Sequence, residues 1–91
     1  MKFSLGKLVI TPDALSTLEE ANQRPFDFVE RHIKGDWGDM CEDDKQSNEE
    51  AILEGRRIMS AYKINPEQEE KVWIITEADR SSTTILLPSE Y

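Results

Sequence analysis

The polar residues best placed to do chemistry in this sequence are Glu77, Asp79 and Arg80, which stand within one four-residue segment. A carboxylate can act as a general base or bind a metal ion, and an arginine can stabilise the charge that develops when a phosphodiester is attacked. This set is compatible with a small hydrolase or nuclease-like enzyme. It is equally compatible with a structural role, in which the Asp side chain bonds its own backbone and an ion pair fixes a turn.

His32 and Cys41 form a second candidate pair, because a thiol beside an imidazole can act as a nucleophile with its base. They are the only histidine and the only cysteine, and a glycine-containing turn separates them. That spacing allows contact without requiring it. Glu42, Asp43 and Asp44 follow the cysteine, and their negative charge disfavours a thiolate. We therefore expect Cys41 to be unreactive and His32 to be a helix residue at the boundary between the core and the surface.

The segment from Asp36 to Glu54 is unusually acidic, with eight acidic residues and one basic residue, Lys45. Helical spacing would align Asp43, Glu50 and Glu54 on one face, with Glu42 and Glu49 beside them. Proteins that imitate DNA use such faces to occupy a basic groove. The alternative interpretation is a solvated helix whose acidic first turn complements the helix dipole.

The acidic segment also raises the question of a metal site. Its first carboxylates do not follow the alternating spacing of a helix–loop–helix calcium loop, which also needs a bidentate Glu at its end. A weak and exposed magnesium or calcium contact is the most that the spacing allows. No cofactor is indicated anywhere in the sequence.

Composition limits the class of protein. The chain of 91 residues is long enough for one domain, 1–91, and its 37% apolar and 33% charged residues are typical of a globular protein. The formal charge of −8 opposes direct nucleic-acid binding. A single cysteine, no visible signal peptide and an apolar run of only four residues at 72–75 favour a cytoplasmic protein that does not bind a membrane.

Two helices are predicted before the acidic segment. Thr11 can cap a helix that begins at Pro12, and the apolar spacing continues to about residue 22. Pro25 starts a second helix over 25–34, which Gly35 ends. A third helix is predicted over 42–54, ending at Gly55. The alternative is a loose turn followed by a shorter helix that Ser47 caps.

After Gly55 the apolar pattern has the period of a strand. Strands are predicted over 57–64, 71–77 and 83–87, joined by connections at 65–70 and 78–82. Residues 3–10 could add a short N-terminal strand. The sequence therefore predicts an α+β fold in which two to three N-terminal helices pack on a C-terminal three-stranded antiparallel meander. Trp37, Trp73 and Tyr62 could stack on bases, but the negative charge favours a packing role for them.

Three motifs together resemble a family of small bacterial proteins found on plasmids and in other mobile regions. They are GDWGD at 35–39, WIITEADR at 73–80 and LLPSEY at 86–91. Between the first two, Glu42, Asp43, Asn48 and the segment from Gly55 through Ser60, Ala61 and Tyr62 also match, and the resemblance extends from about Leu5 onward. The family is usually labelled plasmid-related or uncharacterised, so the resemblance implies a bacterial, cytoplasmic setting and no mechanism. The family has a shorter, Asp-Gly-type turn where this chain has residues 65–70.

A site shared with that family would lie at the matched polar positions. These are Asp36, Trp37, Asp39, Asn48, Glu77, Asp79 and Arg80. The alternative is structural, with Asn48 capping or bracing the turn at 36–39 and Asp79 and Arg80 fixing the hairpin.

Because no catalytic set is visible, we expect a non-enzymatic interaction or accessory protein, for example an inhibitor of a basic protein. Glu42 and Asp43 would belong to its binding surface. The hydrolase that uses Glu77, Asp79 and Arg80 is the alternative.

Overall fold

The computed structural model describes residues 2–65, 67 and 69–91, so part of the predicted connection at 65–70 lies outside the described residues. The helices are α1 (Pro12–Glu20), α2 (Pro25–Ile33) and α3 (Glu42–Glu54). The strands are β1 (Lys7–Ile10), β2 (Ile58–Lys63), β3 (Lys71–Thr76) and β4 (Ser82–Leu86), and a 3-10 turn follows at Pro88–Glu90. The predicted α+β fold is confirmed.

The four strands form one mixed sheet in the order β1-β4-β3-β2. Strands β2, β3 and β4 make the predicted antiparallel meander, with Ile58 opposite Thr76 and Ile74 opposite Ile85. The N-terminal strand is shorter than residues 3–10 and pairs in parallel with β4, with Leu8 opposite Thr83. The sheet therefore ends at β1 on one edge and at β2 on the other.

The helix boundaries follow from local chemistry. Thr11 has an extended backbone and its Oγ1 accepts a hydrogen bond from the Ala14 N–H at 3.1 Å, while Pro12 occupies the first helical position. Gly55 ends α3 with a φ of 71°, a left-handed conformation that glycine adopts without a steric penalty. Helix α3 is continuous from Glu42, so the alternative of a shorter helix capped by Ser47 is wrong.

Two apolar clusters fill the space between the helices and the sheet. The larger one joins α1 and α2 to the inner face of the sheet and includes Leu18, Val29 and Ile74, all fully buried. The smaller one joins Phe3, Trp37, Ala51 and Ile58 beneath α3. The packing role predicted for Trp37 is confirmed, since only 3% of its surface is exposed.

The longest helix, α3, has 13 residues. Within the part of the chain that the structure describes, none of the helices is both long and apolar enough to cross a membrane.

Candidate functional site

Helix α3 buries little of itself. Of its 13 residues only Asn48 and Ala51 are buried. A helix of this length is marginal in water on its own, so contacts with the rest of the chain must hold it. Ala51 contributes the apolar part of that contact through the smaller cluster.

Asn48 supplies the first polar contact between α3 and the sheet. Its Nδ2 donates to the Met59 carbonyl oxygen at 2.7 Å, and its Oδ1 accepts from the Met59 N–H at 3.1 Å. A side-chain amide that satisfies both backbone groups of one residue fixes the helix against β2. The two short hydrogen bonds of Asn48 go to β2, and toward the turn at 36–39 its Nδ2 makes only a 4.0 Å contact with Met40 Sδ. The main role of Asn48 is therefore to hold α3 on β2, and not the predicted bracing of that turn.

Arg80 supplies the second polar contact, from the hairpin between β3 and β4. Its guanidinium donates to the carbonyl oxygens of Ala51 at 3.1 Å and Arg56 at 2.8 Å, and also to those of Glu77 and Ala78 at 3.0 Å each. A cation at the C-terminal end of a helix also complements the helix dipole. Arg80 has a φ of 61°, which is uncommon outside glycine, so the turn presents this side chain in a specific direction.

The indole of Trp37 makes the third polar contact. Its Nε1 donates to Glu49 Oε2 at 2.9 Å, and Lys2 Nζ lies 3.4 Å from the other carboxylate oxygen of the same residue. Glu49 is thereby used to hold α3, although it belongs to the acidic segment. Amide, guanidinium and indole contacts together fix a helix that its apolar packing alone would hold weakly.

We call the surface of α3 that points away from the sheet the acidic face. It is formed by the carboxylates of Glu42, Asp43, Glu50 and Glu54. At about 100° per residue Glu42, Asp43 and Glu50 lie on the side of the helix away from Asn48 and Ala51, with Leu53 among them. Glu54 lies at the flank of this face, about 60° from Ala51 around the helix axis. Leu53 is 87% exposed, the largest exposure of any large apolar side chain in the described residues.

Of the four carboxylates of the acidic face, two have a cationic neighbour in the described ranges and two do not. Glu42 lies 3.7 Å from Lys45 and Glu54 lies 3.1 Å from Arg56, both pairs being largely exposed. Such surface pairs contribute little and are screened by salt. Among the residues that the structure describes, Asp43 and Glu50 have no cationic group within 4.0 Å.

A shallow groove runs beside the acidic face. It has a volume of about 300 Å³ and includes Lys2, Gln46, Glu49, Glu50, Ile52 and Leu53 among its lining residues. Lys2 already pairs with Glu49 in this groove, which leaves the Glu50 carboxylate beside the apolar side chains of Ile52 and Leu53. That combination suits a long cationic side chain, whose methylene stem packs on apolar surface while its charged head meets a carboxylate.

The two aspartates of the 36–39 turn have structural partners. Asp36 accepts from Arg31 at 2.7 Å and from the Gly38 N–H at 3.2 Å, and the arginine holds the pKa of Asp36 below its usual range. Asp39 lies 3.1 Å from Lys71, which lowers the pKa of that carboxyl. These carboxylates fix the turn against neighbouring elements, so we do not include them in the acidic face.

The hairpin residues Glu77, Asp79 and Arg80 are arranged around their own turn. Asp79 accepts from the Ser81 N–H at 2.9 Å, and its hydrogen bonds with Ser81 lower the pKa of the carboxyl. The guanidinium of Arg80 is taken up by carbonyl oxygens. Glu77 is exposed. The geometry therefore gives no support to the hydrolase alternative, and the structural interpretation of Asp79 and Arg80 is the one that their contacts match.

His32 is fully buried, so the boundary position predicted for it is wrong. Its Nδ1 contacts Ser60 Oγ, and its Nε2 lies 3.0 Å from Thr76 Oγ1. Thr76 Oγ1 lies 2.8 Å from Thr83 Oγ1, and Thr83 donates to the Leu5 carbonyl oxygen at 2.7 Å. These residues form a buried polar chain between α2 and the sheet.

The Leu5 carbonyl at one end of this row of hydrogen bonds determines which group donates at each step. The Leu5 carbonyl can only accept, so Thr83 donates to it and accepts from Thr76, which in turn accepts from His32. The imidazole therefore carries a proton on Nε2, and in its neutral form Nδ1 accepts from Ser60. Burial lowers the pKa of His32 to about 4, which keeps it neutral near pH 7.

The pairing of His32 with Cys41 is not formed, because both ring nitrogens are used by Ser60 and Thr76. Cys41 is exposed immediately before α3. The sequence did carry a signal for the buried chain. Ser60, Thr76 and Thr83 occupy inward positions of the predicted strands, where apolar residues would be expected, and only a buried polar partner explains three such residues.

The acidic residues do not gather into a metal site within the described part of the chain. There, no three His, Cys, Asp or Glu side chains are close enough together to hold one ion.

In comparisons with known proteins, the chain matches no family model, no curated protein and no solved structure. The resemblance to plasmid-related bacterial proteins therefore stays a prediction.

Proposed function

We propose that this chain is a small non-enzymatic interaction protein that offers the acidic face of α3 to a basic partner protein. The observation that carries the proposal is the way α3 is held. Asn48, Arg80 and Trp37 fix the helix through polar contacts, while four carboxylates and Leu53 on its other side take no part in the core.

Helix α3 adds little apolar burial, and so little stability, to the fold. A helix usually contributes to stability by burying an amphipathic face, and α3 buries two residues. Two of the side chains that hold it, Asn48 and Trp37, are buried, and buried hydrogen-bonding groups must be satisfied. A helix that is fixed by polar contacts and adds little stability is explained if its exposed side must be held in one orientation for a partner.

The chemistry of the surface defines the partner. Carboxylates beside Leu53 and Ile52 favour a surface rich in Lys and Arg, whose stems pack on the apolar side chains. A nucleic acid would be repelled by the same charge. Electrostatic attraction would speed the encounter and would weaken as salt is added. The motif resemblance adds a bacterial mobile element and the cytoplasm as the setting of this interaction.

The test is affinity purification of the tagged full chain from a bacterial host, with three matched baits. The first is the wild type. The second is neutralised on the acidic face by Glu42→Gln, Asp43→Asn, Glu50→Gln and Glu54→Gln. The third is neutralised elsewhere by Glu19→Gln, Glu20→Gln, Glu67→Gln and Glu69→Gln, all at exposed positions. The second and third baits carry the same net charge.

We expect a stoichiometric basic protein with the first and third baits at low salt, its loss with the second bait, and its loss from all three at high salt. A partner that the second bait retains would contradict the proposal. Equal loss with the second and third baits would show that net charge, and not the acidic face, governs binding. Circular dichroism of all three baits confirms that each is folded.

A further inference from the structure

The edge of the sheet opposite α3 is a second unpartnered surface among the described residues. Strand β1 forms this edge and contacts only β4 within the sheet. Its N-terminal residues are exposed, Leu8 by 47% and Val9 by 39%. An exposed edge strand offers unpaired backbone groups to another strand.

The outward backbone groups of β1 are identified by the hydrogen bonds to β4. The N–H groups of Lys7 and Thr11 donate to Ser81 and Ile85, each at 3.0 Å. Because successive residues of a strand direct their backbone groups to opposite sides, those of Leu8 and Ile10 face away from β4. Two residues of β1 are therefore ready to pair with a further strand.

An apolar groove lies directly beside this edge. It has a volume of about 320 Å³, and its lining includes Leu8, Ile10, Phe26 and Val29. Phe26 is 68% exposed at the start of α2. Backbone groups that need partners and apolar side chains that need cover thus occur at the same place.

We infer that β1 pairs in an antiparallel manner with β1 of a second copy of this chain, forming a two-fold symmetric dimer with one continuous eight-stranded sheet. The two-fold axis passes beside Val9, so that Val9 faces Val9 of the second copy. The backbone of Leu8 then forms hydrogen bonds with Ile10 of the second copy, and Ile10 does so with Leu8 of the second copy. All the outward backbone groups identified above are thereby paired. The same register brings both copies of Phe26 over the joined apolar grooves.

Charge supports a second copy as the occupant. In this register Lys7 lies opposite Thr11 of the second copy, on the face of the sheet away from the groove. Thr11 Oγ1 donates to Glu90 Oε1 at 2.7 Å, so the Glu90 carboxylate stands beside that position. Lys7 of each copy therefore lies beside the Glu90 carboxylate of the other copy, so the two-fold symmetric dimer contains two such ion pairs.

The position of α3 removes the main obstacle to self-association. The chain carries a formal charge of −8, which opposes pairing of two copies. Helix α3, with its acidic face, packs on β2 at the far edge of the sheet from β1. Joining the copies at β1 keeps the two acidic faces as far apart as the sheet allows, and leaves both open.

The test is sedimentation velocity on the full chain from low micromolar to several hundred micromolar. We expect the wild type to shift toward the mass of two chains with concentration. Val9→Lys places two like charges at the two-fold axis, about 4.5 Å apart at Cα, and should weaken the dimer at least about tenfold. Val9→Thr, which is neutral and suits a strand, should sediment as the wild type does.

The register is tested by cross-linking in a Cys41→Ser background. Val9→Cys should form an intermolecular disulfide without reductant, whereas Lys7→Cys should not, because position 7 faces Thr11 of the other copy. A wild type that sediments as one chain at every concentration would overturn the inference. A dimer that Val9→Lys leaves intact, or equal cross-linking at positions 7 and 9, would overturn it as well. Partner binding by α3 is not needed for any of these results.

Discussion

Helices α2 and α3 lie on the same sheet but are held by different forces. Helix α2 buries three of its nine residues, Phe28, Val29 and His32, and two of these belong to the larger apolar cluster. Helix α3 buries two of its thirteen residues, and one of them, Asn48, is polar. The longer helix therefore contributes less apolar burial than the shorter one.

This difference separates folding from recognition. Apolar burial is the main source of folding free energy, so α2 and its neighbours stabilise the domain. Polar contacts add less net stability but fix direction, because a hydrogen bond has a required geometry. Changes in α2 should therefore affect stability, whereas changes on the acidic face should affect binding.

The largest expected effect is the loss of Phe28. Phe28→Ala should lower the free energy of unfolding by about 3–5 kcal/mol, because a buried aromatic ring leaves a cavity. Phe26→Ala, two residues away and exposed, should change it by less than about 0.5 kcal/mol at low protein concentration. Urea titration of both variants measures the difference, and equal losses would show that α2 does not hold the core as described.

The next effect is acid destabilisation through His32. Its pKa is about 4 in the folded protein and 6.5 as the ordinary value, so the unfolded chain binds the proton more tightly. Stability is therefore retained above pH 6.5 and is lost as the pH falls toward 4, by about 3 kcal/mol in total. Urea titrations across this range measure the loss.

The His32→Asn variant is the control for this pH dependence, since it should be less stable at pH 7 but should lack the loss between pH 6.5 and 4. The lowered pKa values of Asp36, Asp39 and Asp79 add losses of their own as the pH falls through the ordinary carboxyl pKa of 3.8, so these losses appear at the acid end of this window and below it. If the variant loses stability between pH 6.5 and 4 as the wild type does, protonation of His32 is not the cause of that loss.

A smaller effect is expected at the polar attachment of α3. Asn48→Ala leaves both backbone groups of Met59 without their partner, and should cost about 2 kcal/mol. Ser47→Ala, at the exposed neighbouring position, should cost less than about 0.5 kcal/mol. Thermal unfolding measures the two stabilities. If Asn48→Ala leaves the stability unchanged, the polar contacts of Asn48 do not hold α3.

The smallest effect on stability is expected on the acidic face. Neutralising Glu42, Asp43, Glu50 and Glu54 together should change the free energy of unfolding by less than about 1 kcal/mol, since weaker dipole interactions are offset by reduced repulsion. Chemical unfolding measures it. A large loss of unfolding free energy would show that these carboxylates stabilise the fold, as the buried residues of α2 do.

The element pattern could be predicted from the sequence because it depends on local chemistry. Thr11 and Pro12 start a helix, Gly55 ends one, and β-branched residues mark the strands after it. The parallel pairing of β1 with β4 was not predicted, because it joins segments more than 70 residues apart that carry no shared local signal.

The candidate site was predicted only in part, for the same reason. The acidic face depends on helical spacing, so Glu42 and Asp43 could be identified as exposed. The contacts of Asn48 with Met59 and of Arg80 with Ala51 depend on how the helix meets the sheet, and their sequence separation is 11 and 29 residues. The burial of His32 was missed because its partners, Ser60 and Thr76, come from two different strands far along the chain.

The most direct test of the account is isothermal titration of the purified partner against the wild type, the variant neutralised on the acidic face and the variant neutralised at positions 19, 20, 67 and 69. We expect at least about tenfold weaker binding for the variant neutralised on the acidic face and less than about twofold change for the variant neutralised elsewhere. Equal weakening in both variants, or unchanged binding in the variant neutralised on the acidic face, would contradict the claim that α3 is presented for recognition.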